Sequence, residues 1–425
     1  MDRSTIASHP HIWWSNSIFF VSVHLAALVG MYCLPPTLVS WPTLALTYAM
    51  WQLAEFGITI GYHRLWSHRA FRASMGVRFV LALLGSAGFQ GSIKWWCLRH
   101  RLHHRFTDDP IHDPYAATRG LLHSHMGWIF FKPTYTRMEL VDRDDLDRDP
   151  VVRFQHKYYI PLALFFGFAV PPLIGALWND ALGAFVWAGL VSRLAVWHCT
   201  FFVNSLAHWD GLQPFSDENT SRGNFLLAVL TSGEGNHNFH HAFPHDYRSG
   251  PWIHTWDPSK WVILLLHQFG LVYGLRQARD EDYKEALAYM NHKSLGGEPP
   301  LKEYANEEQD SPRKSVGNTY QHWSVAATKL YVREHSERCF LLLNGWVVDV
   351  TPYLGEHPGG ASLLRRYAIR PGEDDEADAH TWLDASWAFD GGLNNHSRAA
   401  VKRMRELRVA KIELPEDAGL ACVQE

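Results

Sequence analysis

The sequence predicts an all-α integral membrane domain, four transmembrane helices with a cytosolic helical cap, followed by a small soluble α+β domain. Apolar residues make up 47% of the 425-residue chain and aromatics 14%. The mean hydropathy nevertheless lies slightly on the polar side, so the apolar residues are gathered into segments. Four of these, 18–34, 44–60, 158–177 and 184–203, approach or reach the ~20 residues that span a bilayer. Beyond residue 320 no such segment remains, and the pattern becomes that of a compact soluble unit.

The polar start carries Asp2 and Arg3, and no small-residue cleavage site follows the first apolar run, which is therefore expected to stay as an anchor. The tight connectors 35–42 and 178–181 hold no Lys or Arg, whereas 64–105 and 132–153 are rich in both. The positive-inside rule then places the connectors on the far side, with both termini and the long polar loops in the cytosol. The 19 tryptophans suit membrane interfaces. Segments 79–89 and 261–275 are shorter and flanked by charge, which predicts interfacial or packed helices. A charged helix over 279–290 leads into a linker rich in Gly, Pro, Glu, Lys and Ser over 291–318. The expected domains are 1–278 in the membrane, 279–319 as helix and linker, 320–414 as the soluble domain and 415–425 as a tail.

A net charge of −4 gives no sign of nucleic-acid binding. Five cysteines without a CxxC pair or regular spacing argue against a disulfide framework or thiolate zinc site. The 26 histidines are the compositional outlier. They cluster as His63-Arg-Leu-Trp-Ser-His68, His100-Arg-Leu-His103-His104 and His237-Asn-Phe-His240-His241, with His208 in Asn204-Ser-Leu-Ala-His208. On a helix, positions i, i+3 and i+4 share a face, so each HxxHH presents three imidazoles in one direction. The five-residue step from His63 to His68 does not, and the helix is expected to end or unwind there. These nine histidines suffice for two metal ions; imidazole suits iron, copper, zinc or nickel, so ligand type alone leaves the metal open. His24 is read as a packing histidine inside the first span. His112, His123, His125 and His245 have no spacing that marks them as ligands.

HRLWSH, HRLHH, NSLAH and HNFHH, in this order and on this topology, resemble the integral-membrane Δ9 acyl-CoA desaturase family over residues 13–275. The resemblance implies two irons held by His63, His68, His100, His103, His104, His208, His237, His240 and His241, with Asn204 contributing through water. It implies O2-dependent conversion of saturated fatty acyl-CoA to the cis monounsaturated product. It also implies a kinked acyl tunnel with Gln90, Trp96 and Thr200 at the kink, Lys132 at the CoA phosphates and Asn16 at the headgroup. Trp51 and Glu55 depart from the small or mid-sized residues usual along the tunnel. Glu55 lies about 12 Å deeper than His63 on a regular helix, and an ionisable residue there needs a partner, for which Arg193 is the candidate. Either Trp51 and Glu55 shorten the closed end of the tunnel, favouring palmitoyl over stearoyl chains, or both pack against helices away from it.

The run Phe340-Leu-Leu-Leu-Asn-Gly-Trp-Val-Val-Asp-Val-Thr-Pro-Tyr-Leu-Gly-Glu-His-Pro-Gly-Gly360 reads as a short strand, a turn at Asn344-Gly345, and a tight HPGG turn. It resembles the cytochrome b5 haem-binding domain over 320–408. That implies haem b with His357 as one axial ligand and His396, which precedes Ser397, as the other. His380 competes but lacks the serine, and the acidic stretch 373–378 is expected to be an insertion. Two axial imidazoles leave no open position, so this haem transfers electrons. The pairing of modules is that of fungal desaturases and implies NADH-cytochrome b5 reductase as electron donor and an endoplasmic reticulum location. The competing readings are a related membrane di-iron hydroxylase or a desaturase of other regiospecificity, a zinc hydrolase, which would need no haem, and a non-catalytic metal or haem carrier, which would need no tunnel.

Overall fold

The computed structural model describes residues 11–296, 321–355, 357, 360–370, 382–390 and 396–413. They fall into two compact units, 1–287 and 288–425. Most of the expected linker, the acidic stretch 373–378, His380 and the tail 415–425 lie outside the described residues.

The first unit is helical. Its first long helix, Trp14–Cys33, buries Phe20, Val23 and Ala27 at helical spacing and leaves Ile18, Val21, Leu25, Leu28 and Val29 exposed, as a lipid-facing helix does. Three helical stretches are long and apolar enough to cross a membrane: Trp14–Cys33, Tyr159–Trp178 and Ala181–His208. The segment expected over 44–60 is also helical, as Trp41–Phe56 continuing through Gly57–Ser67, but Gln52 and Glu55 interrupt its apolar run and it does not join those three.

Asp180 staples the two short connectors together. Its Oδ2 accepts from the Ser40 backbone N–H at 3.1 Å, the Ser40 hydroxyl at 2.8 Å and the Thr43 hydroxyl at 2.7 Å. Helices Met75–Ala87 and Ile93–Arg105 are N-capped by Ser74 and Ser92. A two-stranded pairing of Arg72–Ala73 with Val272–Tyr273 closes this end beside helix Pro258–Gln268. The shorter apolar segments form helices of 13 and 11 residues, Met75–Ala87 and Pro258–Gln268, below the ~20 that span a bilayer.

The second unit carries a four-stranded sheet in the order Gln321–Ser324, Arg408–Glu413, Trp346–Asp349, Phe340–Leu343. The first pair is parallel and the others antiparallel. Asn344 and Gly345 join the last two with φ of 50° and 72°, the positive pair a type I′ hairpin turn requires. All of Phe340–Leu343 is buried. Leu341 and Leu343 enter one core with Val348 and Met404, while Phe340 and Leu342 enter another with Val347, Trp382 and Ile412. Period two is preserved, with apolar packing on both faces.

Candidate metal centre and haem site

The step from His63 to His68 has a specific local solution. Gly57–Ser67 is a π-helix, and the His68 N–H donates to the His63 carbonyl five residues back at 3.1 Å. The helix does end there, at Ser67 with His68 as its C-cap, but it does not unwind first. It widens, and that brings residues five apart onto one face, their rings 4.8 Å apart. Such widened turns concentrate at functional sites. His100, His103 and His104 lie on regular helix Ile93–Arg105, and His237, His240 and His241 on helix His237–Ala242. His208 closes a short turn, Leu206–His208, after helix Ser192–Asn204.

All nine expected histidines converge, in two groups. His63, His68, His100, His104 and His240 form one, and His103, His208, His237 and His241 the other, with the ligand atoms of each group within 4.8 Å of one another. Each HxxHH straddles both groups instead of aiming three rings at one point. The i, i+4 pair stays together and the remaining histidine turns to the other group. Asn204 ends the helix one turn before His208, and its side chain makes no hydrogen bond among the described residues.

The spacing fits a metal. Nε2 pairs stand 2.8 Å apart for His68 and His100, 3.0 Å for His63 and His240, and 2.9 Å for His104 and His240. In the second group they stand 3.1 Å apart for His208 and His237 and 3.0 Å for His237 and His241. Imidazole nitrogens bind metals at about 2.1 Å, so two at right angles around an ion are about 3 Å apart.

Groups behind the rings fix their orientation. His63 Nδ1 faces Glu234 Oε1 at 3.2 Å, and His103 Nδ1 faces Asp113 Oδ1 at 2.9 Å. His208 Nδ1 meets the Thr220 hydroxyl at 2.9 Å, which donates to Asp108 at 2.7 Å. A carboxylate only accepts, so Nδ1 of His63 and His103 carries the proton and Nε2 is left bare for a metal. Burial, reinforced by neighbouring imidazoles, holds His68, His100, His104, His237, His240 and His241 well below the usual histidine range, in the neutral ligand form. For His103 burial pulls the same way, but Asp113 outweighs it and raises the ring. Arg64 donates to both Glu234 and Asp257. Burial disfavours the Glu234 carboxylate, yet Arg64 and His63 hold it down to about 2. Sequence reasoning did not single out Arg64, Glu234, Asp257, Asp108 or Asp113; their only signal was charge beside the clusters.

In the second unit the His357 and His396 rings lie nearly parallel, 20° apart, with centroids 6.3 Å apart. His357 Nδ1 bonds the Gly360 carbonyl at 3.2 Å and His396 Nδ1 the Phe389 carbonyl at 2.8 Å, so each Nε2 is the bare nitrogen, free to hold a metal. An ion held between two imidazoles at about 2 Å from each nitrogen puts the ring centres roughly 6 Å apart. The pair fits one haem iron.

Residues 36–257 match the family model described as fatty acid desaturase, a span that contains all nine histidines. The chain belongs to the fatty acid desaturase family. Residues 327–413 of this desaturase match the cytochrome b5-like haem/steroid binding domain. It is 35% identical to a probable acyl-CoA desaturase of Schizosaccharomyces pombe, over 95% of this chain and 78% of that one. It is 34% identical to acyl-CoA desaturase 1 of Saccharomyces cerevisiae, over 97% and 76%. Delta(9)-fatty-acid desaturase fat-5 of Caenorhabditis elegans is 37% identical over 64% of this chain and 82% of its own. The desaturase is an oxidoreductase whose cofactors are a di-iron centre and a haem.

Three of the expected tunnel residues meet in the desaturase. Trp96 Nε1 donates to Gln90 Oε1 at 3.2 Å, and Gln90 Nε2 donates to the Thr200 hydroxyl at 2.8 Å. Trp96 also stacks on His100, centroids 4.9 Å apart, so this chain of bonds leads directly from the five-histidine group to helix Ser192–Asn204. Lys132 is exposed. Asn16 Nδ2 donates to the Ile129 carbonyl at 2.9 Å. Trp51 meets Tyr48 edge-on, and its Nε1 is buried without a hydrogen bond.

Glu55 and Arg193 are 1% and 0% exposed but form no ion pair. The Arg193 guanidinium instead reaches the Met50 carbonyl at 3.4 Å and the Ser192 hydroxyl at 3.1 Å. His24 is a satisfied packing histidine, its Nδ1 bonding the Phe20 carbonyl at 2.7 Å. It bonds His198 at 3.1 Å, His198 bonds His125 at 3.0 Å, and His125 bonds Ser205 at 3.0 Å. None of these three histidines enters either metal group.

Proposed function

We propose that this desaturase introduces a cis double bond at the Δ9 position of a saturated fatty acyl-CoA, in the synthesis of unsaturated fatty acids. The observation that carries the reading is the gathering of nine imidazoles into two groups at metal-ligand spacing in a chain that also holds a haem domain. A hydrolase needs no electron carrier. The similarity to acyl-CoA desaturases of both yeasts supports the substrate class.

In the reaction the acyl chain loses two hydrogens, and O2 takes these together with two protons and two electrons to leave as two waters. His63, His68, His100, His104 and His240 would hold one iron, and His103, His208, His237 and His241 the other, with Asn204 acting through water. Bound there, the iron pair supplies the oxidising power that an unactivated methylene demands. Gln90, Trp96 and Thr200 hold the bend of the acyl chain against the five-histidine group and keep water from it. Lys132 and Asn16 meet the CoA headgroup. His357 and His396 hold haem b, which receives electrons singly from an NADH-cytochrome b5 reductase. We place the chain in the endoplasmic reticulum bilayer with helix 41–67 as a fourth span. Both termini and the histidine groups then face the cytosol, consistent with connectors free of Lys and Arg.

Expression in cells lacking their own Δ9 desaturase, followed by fatty-acid analysis, tests the reading. Palmitoleate or oleate is expected. No monounsaturated product from protein with both iron and haem confirmed would end it, and a hydroxylated product would make it a hydroxylase. Trp51 and Glu55, on one helix face, shorten the closed end of the acyl path. Trp51→Ala is expected to raise the ratio of stearoyl- to palmitoyl-derived product by at least roughly tenfold, since each of the two extra methylenes in an apolar pocket is worth about 1–3 kcal/mol. An unchanged ratio of chain lengths would show that Trp51 packs away from the path.

A further inference from the structure

We propose that Glu234 is the positioning residue of the five-histidine group, fixing which nitrogen of His63 carries the proton and setting the charge beside that metal. The inference rests on the reading of the histidine groups as iron sites.

Glu234 Oε1 lies 3.2 Å from His63 Nδ1, while His63 Nε2 lies 3.0 Å from His240 Nε2 inside the group. With Nδ1 obliged to donate, the neutral ring turns a bare Nε2 to the metal. The same oxygen accepts from Arg64 Nε at 3.2 Å and Nη2 at 3.0 Å. Arg64 follows His63 in the π-helix, so one segment carries both the ligand and the cation that steadies the ligand's partner. Arg64 is itself fixed through Nη1, which donates to Asp257 Oδ2 and to the Tyr247 carbonyl, each at 2.9 Å.

The backbone around Glu234 is equally constrained. Its N–H donates to the Thr231 hydroxyl at 3.0 Å. Gly233 has φ +125°, and a Cβ there would meet Asp257 Oδ1 at 2.3 Å. Glu234 thus joins the π-helix to the helix that begins three residues later at His237. Its other oxygen, Oε2, is buried with no hydrogen bond. Every bond of the side chain goes to His63 or to Arg64, and no other element is held by it. His103 of the four-histidine group has a different carboxylate, Asp113, which provides an internal control.

The test uses the full-length protein loaded with iron and haem, its Glu234→Gln, Glu234→Asp and Asp113→Asn variants, an iron chelator titration and Mössbauer spectra. Gln preserves volume but removes the charge and leaves Arg64 facing His63. In E234Q one of the two irons is expected to leave at roughly 10–100-fold lower chelator, as for other partners of metal-bound histidine. Its Mössbauer signal changes, the second iron and the haem absorption stay as they were, and E234D, which keeps the charge one carbon further from His63, loses that iron at a chelator concentration between those of E234Q and wild type. D113N is expected to weaken the other iron. If E234Q keeps both irons at the wild-type chelator concentration with an unchanged spectrum, the proposal is overturned. It is equally overturned if both irons weaken together and E234D is no better than E234Q. Wild-type protein that binds no iron would instead overturn the reading of the groups as iron sites. Should E234Q fail to fold, E234D decides: its one-carbon retreat from His63 is expected to weaken one iron selectively, and wild-type retention with no spectral change refutes the proposal.

Discussion

Replacing His240 with alanine is expected to abolish desaturation and to lower bound iron from two to about one per chain. His240 is the hub of the five-histidine group: its Nε2 lies 3.0 Å from that of His63 and 2.9 Å from that of His104. Removing it takes one ligand and also opens a gap between two others in a buried site. The activity loss should be at least roughly a thousandfold, because groups that act as one unit fail together. Iron should fall by about one and not two, because His103, His208, His237 and His241 form a separate set. Iron analysis and fatty-acid chromatography on the same preparation read both. His125→Ala is the control: His125 bonds His198 and Ser205, outside both groups, so iron should stay at two. Normal iron and normal product in the His240 variant would remove His240 from the ligand set.

The contrast between these histidines shows what the sequence made legible. The i, i+3, i+4 spacing marks His100, His103, His104, His237, His240 and His241 because a helix repeats every 3.6 residues. It does not say that each motif divides between two groups, since that depends on how two helices face each other across the site. The five-residue step from His63 to His68 marks the helix end, which falls at Ser67, but it does not reveal the π-helix over Gly57–Ser67 that keeps both rings on one face. Glu234, Asp113 and Asp108 stayed hidden because a single acid in a loop has no period. The pairing of Glu55 with Arg193 followed from depth alone, whereas the Arg193 guanidinium bonds the Met50 carbonyl and the Ser192 hydroxyl. The Asn344-Gly345 hairpin could be read directly, because the positive φ it needs is a property of those two residues. Helix 41–67 lies between these cases: its helicity follows from pattern, while Gln52 and Glu55 blur its length as an apolar span.

Replacing His396 with alanine is expected to give the opposite metal signature: haem lost, two irons kept, and NADH-driven activity down by about two orders of magnitude, the upper end of what losing a fixed partner costs a metal site. His357 and His396 stand 6.3 Å apart and nearly parallel, each with Nδ1 tied to a backbone carbonyl, so both rings are set for one ion. With one gone, the remaining ring alone cannot supply the two axial ligands that would hold the haem in the closed coordination suited to electron transfer. The oxidative site is built from other residues, so supplying a separate reduced cytochrome b5 should restore much of the activity. Absorption spectra, iron content, and product formed with and without the added haem protein separate the two effects. Full NADH-driven activity in haem-free protein would show that the fused domain is not the electron donor. Loss of both irons along with the haem would show that the two sites are not independent. Together with His240→Ala, which should lose iron and keep haem, the pair tests whether one chain carries an oxidant site and its electron supply as separable parts.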